Sequence, residues 1–431
     1  MAKRVLIIGA GHAGTNVAEN LIRNDWSGEI LFLTSEDYLP YDRPPLSKGI
    51  LTDEKSKDDL HLTSGDFFEK ENVHIQTGTQ VEQIFPDAKQ VRTADGRMFD
   101  YDFLVIATGS GANVPDVPGI TKKGVFTLRT LSQALELKEH LSHSRKIAII
   151  GGGLIGMEVA AATRSLGIET TVIHRSAEPL SRLMPKTITS KLLNTHREHG
   201  TNIHLDTQVK QIVGNGSVTG VALDRGELIE ADTVLIAAGA YPETCLAELS
   251  GLNVNNGVVV NSKLQTSDPF IYAAGDVARF PNGSGHDRLE SWKNAVDQGA
   301  TVASNIMGQD TDYKAIPWMW TDQFDKVVQV AGRHDSEQRE VIRELPNGGL
   351  VSFHLSDDGT LKAAMAFGDI SQVSKSIRPA TSMIEKGLRP DPALLEDETV
   401  DLRKLLKLLT AELNKASESQ TLNSNLVAQQ L

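Results

Sequence analysis

Two glycine-rich segments have the residue types and the spacing that bind the phosphates of a dinucleotide. Residues 9–14 and 151–156 both read G-x-G-x-x-G after a short apolar run, and each leads into a helical pattern. A second apolar run follows each helix, at residues 30–33 and 170–173. The glycines permit a tight turn and close backbone approach, and the helix N-terminus attracts a pyrophosphate. One such turn is often only a connection, but two in the same context predict two dinucleotide sites.

The ends of the two second strands indicate which dinucleotide each unit takes. Glu36 follows the first of them, and a carboxylate there accepts hydrogen bonds from an unphosphorylated adenosine ribose. The second strand ends in His174 and Arg175, with Arg182 further on, so a guanidinium replaces the carboxylate. That pattern favours a 2′-phosphate and hence NADPH over NADH. The alternative is that Arg175 is a solvated surface charge.

Other apolar runs supply the remaining strands of these units. Three of them end in turns: residues 103–107 before Thr108-Gly109, residues 233–238 before Gly239, and residues 270–274 before Gly275-Asp276. Asp276 places a carboxylate at the C-terminal end of a strand, where doubly wound sheets bind their ligands.

The pattern changes after about residue 325. Alternating stretches at 327–330 and 350–355 predict an antiparallel sheet, and residues 377–383 and 402–409 predict helices. This part is expected to be a separate α+β domain. The polar residues 414–431 are expected to form a frayed, flexible tail.

Composition limits the classes of function. A chain of 431 residues is long enough for two to three domains. Its net charge of −13 argues against binding to nucleic acid or to an anionic membrane. The one cysteine, Cys245, leaves no dithiol pair and no Cys-cluster metal site. The chain has no run of 18 apolar residues, and the short run after Lys3-Arg4 predicts a buried strand rather than a secretory signal. We therefore expect a cytoplasmic protein.

Several longer segments carry a family resemblance. They are residues 41–48 (YDRPPLSK), 128–131 (LRTL), 266–269 (TSDP) with Gly275-Asp276, and 317–323 (PWMWTDQ). With the two glycine turns, they make the chain resemble the FAD-dependent NAD(P)H–ferredoxin reductases that serve oxygenases, the family of putidaredoxin reductase and of the reductase components of aromatic-ring dioxygenases. The resemblance extends to about residue 410.

This resemblance implies an α/β fold of the glutathione-reductase type, with two Rossmann-like dinucleotide-binding domains and a C-terminal α+β domain. FAD would occupy a split domain at 1–112 and 246–325, and the nicotinamide nucleotide an inserted domain at 113–245. The C-terminal domain would span 326–413 and cover the flavin. Members that prefer NADH commonly carry an acid where His174 stands, so a preference for NADH does not carry over.

The resemblance also implies site residues. Those for FAD are Gly9, Gly11, Ala13, Gly14, Ser35, Glu36, Arg43, Lys48, Val81, Ala107, Thr108, Gly109, Arg129, Asp276, Glu290, Ser291 and Trp292. Those for the nicotinamide nucleotide are Gly151, Gly153, Leu154, Ile155, Gly156, Glu158, His174, Arg175, Arg182 and Gly239.

The implied chemistry has two halves. A hydride passes from the nicotinamide to the flavin, which needs stacked rings and exclusion of water. Lys48 would stabilise negative charge on the flavin and Glu158 would hold that lysine, so both have electrostatic roles. The alternatives are a surface lysine and a carboxylate favoured by the dipole of its helix.

The second half transfers single electrons to an iron–sulfur protein. One cysteine cannot hold a cluster, so the acceptor must be external, and the resemblance implies a [2Fe–2S] ferredoxin. Trp318 and Trp320 would share one face of a strand. The resemblance places them beside the flavin and gives Trp320 a part in the transfer, while the alternative is that both are interface core aromatics. Four basic residues could dock an acidic ferredoxin: Lys375, Arg378, Lys386 and Arg389.

Other functions fit less well. A flavin disulfide reductase needs two cysteines near the flavin, and a peroxidase or oxidase of the single-cysteine type needs one in the first domain. Cys245 lies at the end of the expected nicotinamide domain and residues 35–50 contain no cysteine, so both classes are rejected. A regulatory protein resembling apoptosis-inducing factor would need a basic surface or a targeting segment. Reduction of a small acceptor, such as a quinone or rubredoxin, stays open. His196 and His199 lie three apart without a third ligand nearby, so we expect a solvated pair and no metal site.

Overall fold

The computed structural model describes residues 3–428, except residues 71, 284 and 315. The chain forms two compact units. The first consists of Met1–Arg175 and Thr207–Ala315, and the second of Ser176–Asp206 and Ile316–Leu431. Among the described residues, no helix has both the length and the apolar character needed to cross a membrane.

A parallel sheet forms the first of two dinucleotide-binding repeats in the first unit. Its strands are β1 (Arg4–Ile8), β2 (Glu29–Leu33), β3 (Val73–Gln76), β7 (Phe103–Ile106) and β19 (Ile271–Ala273), in the order β19–β7–β1–β2–β3. Continuous apolar runs such as that of β1 are typical of parallel strands that are covered on both faces. Helix α1 (His12–Arg23) follows β1 and lies against α6 (Trp292–Ile306). The segment after Arg4 is therefore the buried strand that the sequence predicts.

Smaller elements surround this sheet. Two antiparallel or mixed sheets hold β4 (Val81–Phe85), β5 (Gln90–Thr93) and β6 (Met98–Asp100), and β18 (Val258–Val259), β20 (Ala278–Asn282) and β21 (Gly285–Asp287). Short 3₁₀ helices lie at Pro44–Ser47, Lys57–Leu60 and Phe67–Glu69, and helix α5 (Cys245–Leu249) contacts β4.

A second parallel sheet repeats the architecture in the same unit. Its strands there are β9 (Val125–Thr127), β10 (Lys146–Ile150), β11 (Glu169–Ile173) and β16 (Thr233–Ile236), in the order β11–β10–β16–β9, with helices α2 (Leu131–Leu141) and α3 (Leu154–Ser165). An antiparallel sheet is added by β13 (Val209–Val213), β14 (Gly220–Leu223) and β15 (Leu228–Glu230). The chain enters this repeat through strand β8 (Ser110–Ala112) and leaves it through strand β17 (Ala240–Pro242), and these two strands form an antiparallel pair.

The second unit is built on an antiparallel sheet, as its alternating pattern predicts. The sheet contains β22 (Trp318–Gln323), β23 (Lys326–Gly332), β24 (Arg339–Glu344), β25 (Leu350–Leu355) and β26 (Leu361–Gly368), in the order β22–β23–β26–β25–β24. The unit also holds β12 (Asn202–His204), α4 (Lys186–Glu198), α7 (Ile370–Glu385), α8 (Pro392–Glu396) and α9 (Leu402–Ala428), together with a short 3₁₀ turn at Pro346–Gly348. Helices α4 and α7 lie against β26.

The polar C-terminal segment differs from its sequence prediction. Composition predicts a frayed tail from residue 414, but α9 continues to Ala428. The helix begins with Leu402 and Leu405 buried in the core of the second unit, so its first turns are fixed by packing. Because elongation adds one hydrogen bond per residue, a helix nucleated in this way extends into a polar sequence. Residues 429–431 of the predicted tail lie outside the described residues.

Candidate functional site

The first glycine turn joins β1 to α1 and leaves no room for side chains. Gly9 has φ of +103°, and a Cβ there would overlap the carbonyl oxygen of Ala107 at the end of β7. A Cβ at Gly14 would overlap the carbonyl oxygen of Gly9. The turn is therefore closed against the neighbouring strand, and only glycine fits at these positions.

The N-terminus of α1 is open to an anion. Its N-cap is Gly11, which makes no side-chain cap, and its first turn contains no acidic residue. The amides of the first turn point out of the helix without an acceptor from the helix itself. Together with the helix dipole, they form the kind of cradle that receives a dinucleotide pyrophosphate. These residues, which include the predicted Ala13, fit FAD.

A network of charged side chains surrounds Glu36 after β2. Tyr41 Oη donates to Glu36 Oε2, and Arg43 Nη2 donates to Glu36 Oε1 over 2.6 Å. Burial raises the pKa of Tyr41, and so does the carboxylate of Glu36. Burial opposes the charge on Arg43, but Tyr41 and Glu36 hold the pKa of Arg43 above its usual range. These two hydrogen bonds hold the Glu36 carboxylate in a fixed orientation.

A second network connects Asp276 to the same region. Arg129 Nη2 lies 2.6 Å from Asp276 Oδ2, and Ser110 Oγ donates to the same oxygen over 2.8 Å. Arg129 Nε donates to the backbone oxygen of Ser110, and Arg43 Nη1 donates to that of Arg129. The predicted FAD residues Arg43, Arg129 and Asp276 are thus brought together around the first glycine turn.

The second glycine turn repeats the first. Cβ atoms at Gly151 and Gly156 would overlap the carbonyl oxygens of Ala237 and Gly151, respectively. Helix α3 has Gly153 at its N-cap, no side-chain cap and no acidic residue in its first turn. Its second residue, Ile155, has an exposed side chain. The amides that would bind a nicotinamide nucleotide are therefore arranged as in the first turn.

Lys48 and Glu158 lie at the boundary of the two repeats, as the sequence predicts. Lys48 Nζ lies 3.2 Å from Glu158 Oε1, and Ser47 Oγ donates to Glu158 Oε2. Lys48 follows the 3₁₀ helix Pro44–Ser47, whereas Glu158 lies in the second turn of α3. The side chain of Glu158 is 6% exposed and that of Lys48 is 19% exposed. Neither alternative holds, because Lys48 is not a surface lysine and Glu158 is not in the first turn.

The other predicted residues of the first unit occupy several positions. Ser35 and Glu290 are exposed, Val81 lies in the hydrophobic core, and Thr108, Gly109 and Gly239 lie in the turns that flank β8 and β17. Ser291 is the N-cap of α6 and accepts from the Asn294 amide. Trp292 begins that helix, is 40% exposed, and meets His12 edge to face. Arg182 belongs to the second unit.

The two tryptophans of β22 share one face of the strand, as predicted. The ring centroids of Trp318 and Trp320 lie 5.5 Å apart, and Trp320 Nε1 donates to Asp322 Oδ2. Lys375, Arg378, Lys386 and Arg389 are all exposed on α7 and the turn after it. Arg389 forms an ion pair with Asp358.

The prediction of a solvated histidine pair is wrong for His196. Its side chain is fully buried, and its Nε2 lies 2.7 Å from Gln323 Oε1. His199 stacks on Phe324, whose ring His196 meets edge to face. Helix α4 carries both histidines towards the turn between β22 and β23, a contact that the sequence spacing does not reveal. Within the described residues, no group of three or more His, Cys, Asp or Glu is placed to hold a metal ion.

Sequence reasoning missed three residues that complete the site: Tyr41, Ser47 and Ser110. Tyr41 and Ser47 lie inside the YDRPPLSK segment, so their place in that segment was the available signal. Ser110 directly follows Gly109, but nothing in the local pattern shows that its hydroxyl reaches Asp276, which is 166 residues away.

This geometry defines a protein with two dinucleotide sites in one unit, and comparisons with known proteins agree. Residues 3–299 match the family model described as pyridine nucleotide-disulphide oxidoreductase, and residues 318–406 match the one described as reductase C-terminal. The ferredoxin–NAD(+) reductase component of the anthranilate 1,2-dioxygenase system of Burkholderia cepacia is 36% identical, over 93% of this chain and 98% of that protein.

Solved structures give the same result. A ferredoxin reductase from Rhodopseudomonas palustris has a TM-score of 0.88 at 30% identity, covering 93% of this chain and 99% of the other. The covalent complex of putidaredoxin reductase with putidaredoxin gives 0.88 at 32% identity, covering 95% and 99%. The chain belongs to the pyridine nucleotide-disulphide oxidoreductase family and, within it, to the ferredoxin reductases. The resemblance and the fold class predicted from the sequence are thereby confirmed.

Proposed function

We propose that this chain is the FAD-dependent reductase of an oxygenase system, which takes electrons from NAD(P)H and passes them singly to a [2Fe–2S] ferredoxin. One observation carries the proposal: the ion pair Lys48–Glu158 links the FAD half of the first unit to the helix that begins at the second glycine turn. Electron transfer between two dinucleotides needs the reactive ends of both at such a boundary.

The residues of the first glycine turn suit FAD. The uncapped N-terminus of α1 would take the pyrophosphate, and Glu36 would take the adenosine ribose. Asp276, held by Arg129 and Ser110, would bind the polar chain between the pyrophosphate and the ring. The flavin, when bound, supplies the chemistry that accepts two electrons together and releases them one at a time.

Lys48 and Glu158 have electrostatic roles in this proposal. An ammonium at 19% exposure is partly shielded from water, so its charge acts more strongly on a neighbouring group than at the surface. Glu158 and its partner Ser47 fix the position of that ammonium. Lys48 would therefore favour negative charge on the flavin, and Glu158 would position Lys48.

The electron acceptor is a separate protein in this proposal. The chain's one cysteine is too few to hold an iron–sulfur cluster. Of the two solved relatives described above, one is a ferredoxin reductase and the other is putidaredoxin reductase in complex with putidaredoxin. Trp320, as an electron-transfer contact, and the exposed basic residues of α7, as part of a docking surface, remain proposals for this chain. A cytoplasmic location also belongs to the proposal, because the reaction draws on the cell's reduced nicotinamide, and cell fractionation tests it.

The domain boundaries are likewise proposed. FAD would be held by residues 1–112 and 246–325, and the nicotinamide nucleotide by residues 113–245, with 326–413 as the third domain. The pairing of β8 with β17 supports the first two boundaries, because the chain enters and leaves the second repeat side by side there. Limited proteolysis with mass spectrometry tests them.

The experiment is an anaerobic reduction of the purified holoprotein. NADPH or NADH should bleach the flavin absorbance, and added [2Fe–2S] ferredoxin should then be reduced in one-electron steps. Lys48→Met should slow flavin reduction at least tenfold while leaving bound FAD in place, whereas Lys57→Met, at an exposed lysine of the same unit, serves as the matched control. A flavin that neither nucleotide bleaches contradicts the proposal. Equal turnover with a quinone in place of ferredoxin would instead support reduction of a small acceptor.

A further inference from the structure

The side chain of His174 is bonded to the second glycine turn. His174 follows β11, and the amide of Gly152 donates to its Nδ1 over 3.1 Å. The imidazole lies directly against the turn, because a Cβ at Gly152 would come within 3.3 Å of His174 Cγ. His174 is therefore part of the structure that shapes the turn, and not merely the residue that follows the strand.

This hydrogen bond determines the tautomer of His174. An amide N–H can donate only to a ring nitrogen that carries no proton, so Nδ1 must hold a lone pair. Burial lowers the pKa of His174, and the neighbouring Arg175 lowers it further, so the ring is neutral at pH 7. A neutral imidazole with a bare Nδ1 carries its proton on Nε2. His174 therefore presents a hydrogen-bond donor, whereas a carboxylate in its place would present acceptors only.

The direction of this hydrogen bond matters for the nucleotide. In dinucleotide-binding folds the side chain at the end of the second strand meets the 2′ position of the adenosine ribose. A carboxylate accepts from a 2′-hydroxyl and repels a 2′-phosphate, whereas a donor pairs with the phosphate oxygens. Arg175, which is exposed and adjacent, adds a positive charge to the same end of the strand.

We propose that His174, fixed as its Nε2–H tautomer by the Gly152 amide, donates to the 2′-phosphate of NADPH and selects that nucleotide over NADH. This inference rests on the proposed function, in which the second glycine turn receives the nicotinamide nucleotide. It assigns a different hydrogen bond to each ring nitrogen of His174: Nδ1 accepts from the Gly152 amide of the turn, and Nε2 donates to the 2′-phosphate on the ribose. The sequence alone placed His174 and Arg175 at the nucleotide, but it indicated neither the tautomer of His174 nor its hydrogen bond to the turn.

The test is equilibrium binding of NADP⁺ and NAD⁺ to the oxidised holoprotein by calorimetry. His174→Asp should weaken NADP⁺ binding at least about tenfold, since a charge-assisted hydrogen bond is lost and a negative charge is gained. Binding of NAD⁺ should hold or improve. His174→Gln is the matched control, because its amide oxygen can accept from Gly152 and its amide nitrogen can donate, so NADP⁺ preference should be largely retained.

Direct observation of the ring completes the test. The ¹⁵N chemical shifts of His174, assigned by their loss in His174→Gln, should show a protonated Nε2 and a bare Nδ1. A protonated Nδ1, or equal weakening of NADP⁺ and NAD⁺ binding by His174→Asp, would overturn the inference. Reduction of the flavin by NADH, measured on each variant, separates this outcome from failure of the proposed function: the reductase can work while His174 has no part in selecting the nucleotide.

Discussion

The buried His196 should make the second unit lose stability as the pH falls below neutrality. Burial lowers the pKa of this imidazole from 6.5 to about 4 in the folded protein, while Gln323 opposes that change only in part. Its side chain is fully buried between α4 and the turn that follows β22. The folded protein therefore keeps His196 neutral at pH values where an unfolded chain already binds a proton.

The size and sign of the effect follow from these pKa values. Above pH 6.5 neither state is protonated at His196, and its contribution to stability is fully present. As the pH falls from 6.5 to about 4, the unfolded state binds a proton and the folded state does not, so the free energy of unfolding decreases. The full difference corresponds to roughly 3 kcal/mol, of which about 2 kcal/mol is lost by pH 5.

Urea unfolding of the full-length holoprotein at pH 7.5 and pH 5.0, followed by tryptophan fluorescence, measures this loss. His196→Gln keeps an amide that can donate to Gln323 but removes the titrating group, so its stability should fall less between the two pH values, by about 2 kcal/mol. His143→Gln, at an exposed histidine of the first unit, is the control and should behave as the unaltered protein. An identical pH dependence in His196→Gln would refute the reasoning.

Two further predictions concern the glycine turns and a buried cation. Gly14→Ala should abolish FAD retention, whereas Gly156→Ala should preserve the flavin spectrum but abolish its bleaching by NAD(P)H. In each variant the new Cβ would overlap a carbonyl oxygen within its own turn. Loss of FAD from both variants would contradict two separate sites. Arg343, buried on β24, donates to the carbonyl oxygens of Glu398 and Val400 over 2.9 and 2.6 Å. Arg343→Met should lower the free energy of unfolding by about 2 kcal/mol, because partly buried carbonyl oxygens lose a charged donor. A change under about 0.5 kcal/mol in urea unfolding at pH 7.5 would contradict this prediction.

The sequence by itself determined the local features of this protein. The repeated glycine turns, the strands before and after them, and the antiparallel C-terminal sheet are written in patterns of a few residues, because turn geometry and strand burial depend on neighbours along the chain. The pairing of Lys48 with Glu158 was also predicted, through the family resemblance of the segments that contain them. The single cysteine excluded dithiol chemistry without any structure.

Only the tertiary structure decided the contacts between distant segments. His196 has the sequence context of a solvated helical residue, yet α4 carries it into the interior of the second unit against Gln323. Ser110 donates to Asp276, and the Gly152 amide sets the tautomer of His174. Both hydrogen bonds form only because strand pairing brings segments together that are distant along the chain. The polar segment after residue 413 is helical because buried leucines fix the start of α9. Each of these features depends on which surfaces meet, and side-chain order along the chain does not encode that directly.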